Sequence, residues 1–302
     1  MQKVIKIDNN SVGLRIDKWI KFFLTKIPQS LIEKDLRNGK IKVNKKKVKS
    51  SYKLKKSDQI FLFNISYRIL SQKKTKILIP KNIIVKETEN TIIENNSDFV
   101  VINKKSGLPV QGGTKVKENL INILSNSNYF ENTKPYIVHR IDKDTSGVLI
   151  VAKNRNIAQQ LTTLFRIRKI HKSYLAVSFG YVEKNKDTIE NNLIRYEKNK
   201  KIFERAITQY QVIDNNKNLT LFKLKPITGR KHQIRKHLTD LNCPIIGDKK
   251  YFLQKPSKNN QLLLHAHEIR FILNNKKYTF KATIPEYFKN FLLKNNLKSK
   301  DF

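Results

Sequence analysis

The chain has 302 residues, and its 62 Lys and Arg against 24 Asp and Glu give a formal net charge of +38. This length suggests two domains, and a hydrophobic fraction of 39% is enough to build a core, which excludes wholesale disorder. So large a positive charge makes a polyanion the expected partner, with nucleic acid the first candidate and an anionic membrane surface the second.

The apolar segments argue against the membrane alternative. No apolar run approaches the roughly 18 residues that a spanning helix needs. Residues 1–6 contain neither the apolar core nor the cleavage site of a secretory signal. A single cysteine, Cys243, allows no intrachain disulfide and no multi-cysteine zinc site. We therefore expect a cytoplasmic protein with no membrane partner.

The first part of the chain predicts two short helices. Residues 14–27 place apolar side chains close to every 3.6 positions, and Pro28 ends this pattern. Ser30 and Glu33 form a capping-box pattern for a second helix, for which Gly39 is a stop signal.

Short strands are expected next, at residues 41–43, at Val48 and at residues 59–63, with a turn at Asn44 and Lys45. The segments 15–18, 36–39 and 41–44 resemble an S4 RNA-binding domain, which would cover residues 13–62. Its candidate RNA-binding side chains are Arg15, Lys34, Arg37, Lys45 and Lys46. The alternative is that these cations belong to a solvated face without a ligand.

Residues 63–90 are polar and rich in Lys, which predicts a linker with some extended structure. From residue 91 to 302 strand patterns dominate, at 99–102, 148–152, 174–179, 203–213, 219–227, 262–271 and 278–282. Helical patterns are fewer, near 118–125, 154–168, 230–239 and 286–295. Consecutive strands without helices between them favour antiparallel pairing, so the predicted class is α+β.

The segment 139–147 carries the strongest candidate chemistry. Its Asp, Ser and Gly spacing matches the opening of a calcium loop, but Lys153 stands where that loop needs a bidentate Glu. A tight turn explains part of the composition. It does not explain Arg140 beside Asp142, a cation that favours the charged carboxylate and suits it to be a nucleophile or a general base.

A second cluster, residues 228–238, follows a strand and opens a helix. Its Arg230, His232 and Arg235 fit either a phosphate-binding basic helix or a site in which an arginine pairs with Asp142. Tyr174 begins a strand, where a tyrosine is ordinarily packed in the sheet. His265 and His267 could bind a metal, but no carboxylate cluster lies near them in the sequence, so we expect no metal site.

Together these segments resemble the pseudouridine synthases that act on large-subunit ribosomal RNA and carry an N-terminal S4 domain. The resemblance rests on residues 139–147, 172–176, 229–238, 244–251 and 262–266, and it covers nearly the whole chain in the right order. One departure is Lys105, which stands where the family usually has proline and would loosen a loop.

The resemblance implies a mostly antiparallel catalytic domain that isomerises specific uridines to pseudouridine in 23S ribosomal RNA or its precursor, without a cofactor. It implies that Asp142 is the essential carboxylate, that Tyr174 stacks on the uracil, and that Arg235 pairs with Asp142. Arg140 would fill the space left by the flipped base. We expect a monomer, since no coiled-coil pattern appears. The alternative function is a non-catalytic S4-type RNA-binding or ribosome-assembly protein.

Overall fold

The computed structural model describes residues 2–7, 11–23, 28–63, 82–112, 118–130, 133–197, 200–216, 218–252 and 261–298. The chain divides into two compact units, residues 1–77 and 78–302. No helix in the described ranges has both the length and the apolar character needed to cross a membrane.

In the described part of the first unit, two helices pack against a small antiparallel sheet. The helices are α1 (Ile16–Phe23) and α2 (Gln29–Arg37), and the strands are β1 (Gln2–Lys6), β2 (Ile41–Val43) and β3 (Gln59–Phe63), in the order β1-β3-β2. Strand β1 was not predicted, and Val48 lies in an irregular segment instead of the expected strand. Residues 24–27 of the predicted first helix lie outside the described residues.

Helix α2 differs from the prediction at its start and agrees with it at its end. The capping box was wrong: Pro28 precedes the helix, no side chain caps it, and Glu33 instead accepts a hydrogen bond from Gln29. The stop at Gly39 is confirmed. Gly39 has φ +73°, its N–H donates to the Leu36 carbonyl at 3.2 Å, and the Lys40 N–H donates to the Asp35 carbonyl at 2.9 Å.

The described part of the second unit contains a ten-stranded sheet. Its path is β4-β5-β7-β12-β8-β11-β10-β9, with β13 paired to β12 and β6 paired to β7. The strands are β4 (Ile92–Asn95), β5 (Phe99–Lys104), β6 (Tyr136–Ile137), β7 (Ser146–Ala152), β8 (His171–Phe179), β9 (Lys186–Glu197), β10 (Lys200–Asn216), β11 (Leu219–Pro226), β12 (Leu264–Leu273) and β13 (Lys276–Lys281). The pairs are antiparallel apart from the parallel contact of β7 with β12, which confirms the mostly antiparallel α+β prediction.

The helices of this unit are α3 (Asn82–Glu89), α4 (Leu120–Leu124), α5 (Arg155–Arg166), α6 (Gln233–Asp240) and α7 (Glu286–Lys294), with a 3-10 helix at Asn128–Phe130. Helix α3 lies where an extended linker was expected; it forms because Val85 and Thr88 share a buried face. Helix α5 buries Ile157 and Leu161 in one cluster of the core. Helices α6 and α7 contribute to another, around Leu175.

Gly147 allows the two central strands to meet. It has φ +112°, and a Cβ atom there would collide with the backbone of Ala266. The close approach pairs Gly147 with Ala266 on β12, and Ala266 is in turn paired with Tyr174 on β8. The loop that precedes β7 and the start of β8 are therefore brought to the same region of the sheet.

Candidate active site

A cleft of about 570 Å³ opens between the loop before β7, the start of β8 and the start of α6. Its size is that of an ordinary ligand pocket. The six residues predicted for the second unit all line it, namely Asp142, Tyr174, Arg235, Arg140, Arg230 and His232. Asp142 is the only acidic side chain among the described residues that line this cleft.

The Asp142 loop is held by a buried lysine that the sequence did not single out. Lys104, 1% exposed, donates from Nζ to the carbonyl oxygens of Lys105, Leu108 and Lys143 at 2.8–2.9 Å. Burial lowers the pKa of Lys104 to about 7, against the opposing effect of the nearby Asp144 and Asp142 charges. Nothing in the sequence separates this lysine from the many exposed ones, because its role depends on a carbonyl 39 residues away.

Arg235 lies beside Asp142 but directs its two-pronged hydrogen bonds elsewhere. Its Nη1 is 3.6 Å from Asp142 Oδ2, whereas Nε and Nη2 each donate to Asp248 at 2.7 Å. Burial opposes the charged form of Asp248, but the hydrogen bonds from Arg235 and from the Lys250 backbone lower its pKa. The predicted pairing thus corresponds to a close approach. The bidentate partner is Asp248, which lies in the motif at residues 244–251 but was not predicted as a site residue.

His232 approaches Asp142 from the other side. It directly precedes α6 with φ +55° and makes no side-chain capping bond. Its Nε2 lies 3.7 Å from Asp142 Oδ1, and its Nδ1 lies 2.9 Å from the Tyr251 hydroxyl. Burial lowers the pKa of His232, while the charge of Asp142 acts in the opposite direction. The imidazole is therefore mainly neutral at pH 7, and the nearest cation to Asp142 among these neighbours is Arg235.

Tyr174 and His139 form the less polar part of the cleft. Burial, and then the charge of Asp142, raise the pKa of Tyr174, so its hydroxyl stays protonated at neutral pH. His139 stacks on Phe165 with 4.4 Å between ring centroids, and its Nε2 accepts the Ile150 N–H at 2.9 Å. Burial and the nearby Lys172 lower the pKa of His139 to about 3, which leaves a neutral ring that ties the loop to β7.

Arginine is concentrated at this cleft. Five of the 12 arginines in the chain line it, and the sequence analysis missed two of them, Arg166 and Arg168 at the end of α5. Arg230 is engaged with its own neighbours, since Nε donates to the Arg205 carbonyl at 3.1 Å and Nη1 lies 3.2 Å from Glu204. The scarcity of arginine in a lysine-rich chain was the signal that could have drawn attention to Arg166 and Arg168.

The two histidines considered as metal ligands are hydrogen-bonded within the protein. His265 lies between the Ser146 hydroxyl, 2.9 Å from Nδ1, and the Ala282 carbonyl, 3.2 Å from Nε2. His267 Nδ1 lies 3.2 Å from the same carbonyl. Within the described ranges, no three His, Cys, Asp or Glu side chains are grouped to hold a metal ion.

The other predicted RNA-binding residues lie in the first unit. Arg15 donates to both carboxylate oxygens of Asp17, at 3.1 and 2.7 Å. Lys34 and Arg37 are exposed on α2. Lys45 and Lys46 are exposed beside β2, and the Lys45 ammonium lies 6.0 Å from the centre of the Phe61 ring. The predicted turn at Asn44 and Lys45 is confirmed, with positive φ at both residues.

Comparisons with known proteins match both units. The model of the RNA pseudouridylate synthase family matches residues 98–240, and that of the S4 domain matches residues 14–60. The ribosomal large subunit pseudouridine synthase C of Buchnera aphidicola subsp. Baizongia pistaciae is 35% identical over 96% of each chain. The protein of that name from Rickettsia felis is 32% identical over 93% of this chain and 96% of its own.

A solved structure supports the same relationship. The human protein RNA pseudouridylate synthase domain containing 4 is 27% identical, with a TM-score of 0.64, over 73% of this chain and 98% of its own.

Proposed function

The chain belongs to the RNA pseudouridylate synthase family, with an S4 domain at its N-terminus, and we propose that it converts specific uridines of 23S ribosomal RNA, free or in a precursor, to pseudouridine. Relatives from Buchnera and Rickettsia are named ribosomal large subunit pseudouridine synthase C, which supports this substrate. The net charge of +38 suits a polyanion of this kind. We further propose that the protein acts as a monomer, without a cofactor, in the cytoplasm, where bacterial ribosomal RNA is made.

One observation carries the proposal: a single carboxylate, Asp142, faces a cleft lined by five arginines. Such a site attracts RNA phosphates and still offers one anionic group to the nucleotide. The reaction breaks the bond between ribose and N1 of uracil, rotates the base, and forms a bond between ribose and C5. C5 loses its proton to water, and N1 takes up a proton, so the product is an isomer of the substrate. Asp142 is the group that reacts with the target nucleotide, and Arg235 places a cation 3.6 Å from that carboxylate.

The target base must leave its stack to reach Asp142. Tyr174 offers an aromatic ring in the same cleft, and its protonated hydroxyl can donate a hydrogen bond to the uracil without acting as a base. Arg140 is exposed at the cleft, two residues before Asp142, where it can occupy the space that the base vacates.

The test is Asp142→Asn, which keeps the shape of the side chain and removes its charge. With unmodified 23S transcript carrying tritium at C5 of uridine, we expect tritium release to fall by at least about 10³-fold, because loss of an essential reacting group costs several kcal/mol of barrier. RNA affinity should change little. Activity within about tenfold of wild type would contradict the role of Asp142.

Asp187→Asn is the matched control. Asp187 is an exposed carboxylate that pairs with Lys184 at 3.1 Å and does not line the cleft, so its loss should leave tritium release near the wild-type rate. A wild-type protein that binds the transcript and releases no tritium would instead identify an RNA-binding protein without this activity.

A further inference from the structure

Left-handed backbone conformations identify two residues of the cleft as unusual. Eight non-glycine residues in the described ranges have positive φ, and five of them are asparagines, which tolerate this region. The other three are Lys45, Arg168 and His232. Two of these three, Arg168 at φ +61° and His232 at φ +55°, line the cleft. Backbone strain of this kind is retained where the side chain has a function.

Arg168 lies at the end of α5, in a position that other helices of this chain fill with Gly or Asn. The Arg168 N–H donates to the Phe165 carbonyl and the Lys169 N–H to the Leu164 carbonyl, which is the Schellman pattern of a helix end. Three other described helices end in the same way, and their left-handed residues are Gly39, Asn242 and Asn296. The other three helices therefore place Gly or Asn at the left-handed position, whereas α5 places an arginine there.

Arg168 also differs from two other arginines of the cleft in its ion pairing. Arg230 and Arg235 in the cleft have carboxylate partners, Glu204 and Asp248. Arg140, Arg166 and Arg168 have no carboxylate partner among the described residues, and of these three Arg166 and Arg168 lie two positions apart at one helix end. Two guanidinium groups without a carboxylate partner are available to an anionic ligand that enters the cleft.

We propose that Arg168, with Arg166, forms a phosphate-binding site for the RNA backbone next to the target uridine. The site lies in the same cleft as Asp142, on the side formed by α5, so a phosphate held there would help to fix the strand whose base enters the cleft. Guanidinium groups suit this task because they donate two parallel hydrogen bonds to a phosphate. The inference rests on the proposed function, because it takes RNA as the ligand.

The substitution Arg168→Gly tests the phosphate-binding role of Arg168 separately from its contribution to stability. Glycine fits the left-handed position better, so the variant should have a Tm equal to or above that of wild type. Affinity for an unmodified 23S transcript, measured by filter binding between about 50 and 200 mM salt, should fall about 3- to 10-fold, and the salt slope should decrease by about 0.7–0.9 for one lost phosphate contact. Arg168→Lys keeps the charge and should retain most of the slope.

Asn296→Gly is the matched control, because it makes the same backbone change at the exposed end of α7 and should leave affinity and slope unchanged. Wild-type affinity and slope in Arg168→Gly would overturn the phosphate site, and so would a lower Tm with an unchanged slope, which would indicate a structural role. Tritium release by wild type is scored separately. Weaker binding by Arg168→Gly, with no release from wild type, would keep the phosphate site and reject the proposed reaction.

Discussion

Arg235 lies between two carboxylates: Asp142, which is proposed to react, and Asp248, which lies outside the cleft. Asp248 is buried and accepts two hydrogen bonds of 2.7 Å from Arg235, which fixes the plane of the guanidinium group. The remaining nitrogen, Nη1, then lies 3.6 Å from Asp142. Asp248 thus acts as a positioning residue, since it reaches the proposed reaction through Arg235.

We expect Arg235→Lys to lose most activity although the charge is kept. A lysine cannot make the two parallel hydrogen bonds to Asp248, so the cation is no longer oriented toward Asp142. Tritium release should fall more than about tenfold, and denaturant unfolding should show a loss of about 1–3 kcal/mol, because hydrogen bonds to a buried charge are lost.

Arg270→Lys is the control for this change, since the exposed Arg270 makes an ion pair with Glu268 at 3.0 Å and does not line the cleft. It should alter stability by less than about 0.5 kcal/mol, as surface substitutions do. Full activity of Arg235→Lys would show that Arg235 contributes charge alone and that the bond to Asp248 does not orient it.

At the scale of elements, the parallel contact between β7 and β12 assembles the site. The strands meet at Gly147 and Ala266, and Tyr174 is paired with Ala266 on the other side of β12. The Asp142 loop enters β7 directly before this contact, and the Ser146 hydroxyl lies 2.9 Å from His265 Nδ1 on β12. The distance between Asp142 and Tyr174 therefore depends on how closely these strands pack.

Gly147→Ala should destabilise the protein strongly. The added methyl group would collide with the Ala266 backbone, which can move only by separating the two strands. We expect a loss of about 3 kcal/mol or more in the free energy of unfolding, from strain and overpacking together.

Gly107→Ala isolates the backbone contribution, since Gly107 has φ +85° and no atom within 4 Å of an added Cβ. It should cost about 1 kcal/mol. Equal losses in the two variants, measured by denaturant unfolding, would contradict the idea that close strand contact requires Gly147.

At the scale of the whole molecule, the charge is spread over both parts of the chain. Residues 1–80 carry 21 basic and 5 acidic side chains, a net charge of +16. The cleft residues lie entirely in the second unit, residues 78–302. Phosphate contacts position RNA without reading its bases, so the first unit is suited to affinity and site choice more than to chemistry.

Deleting residues 1–80 should leave a protein that still forms pseudouridine, with weaker RNA binding and a shallower salt dependence. Each lost phosphate contact should reduce the slope of log affinity against log salt by about 0.7–0.9. A full-length control with Lys34, Arg37, Lys45 and Lys46 changed to Gln should reproduce part of this change. An unchanged slope in both proteins would mean that the S4 unit does not contact RNA.

The sequence by itself determined the α+β class, most strands and helices of the second unit, and the residues that share the cleft. Periodicity and turn residues report local structure, and the family motifs identified Asp142, Tyr174 and Arg235 as one group. Tertiary structure alone decided which groups these side chains contact and which backbone conformation they adopt. Arg235 binds Asp248, Lys104 holds a loop 39 residues away, and Arg168 occupies a left-handed helix end. These features depend on distances between segments that are separate in the chain, and no local pattern encodes such distances.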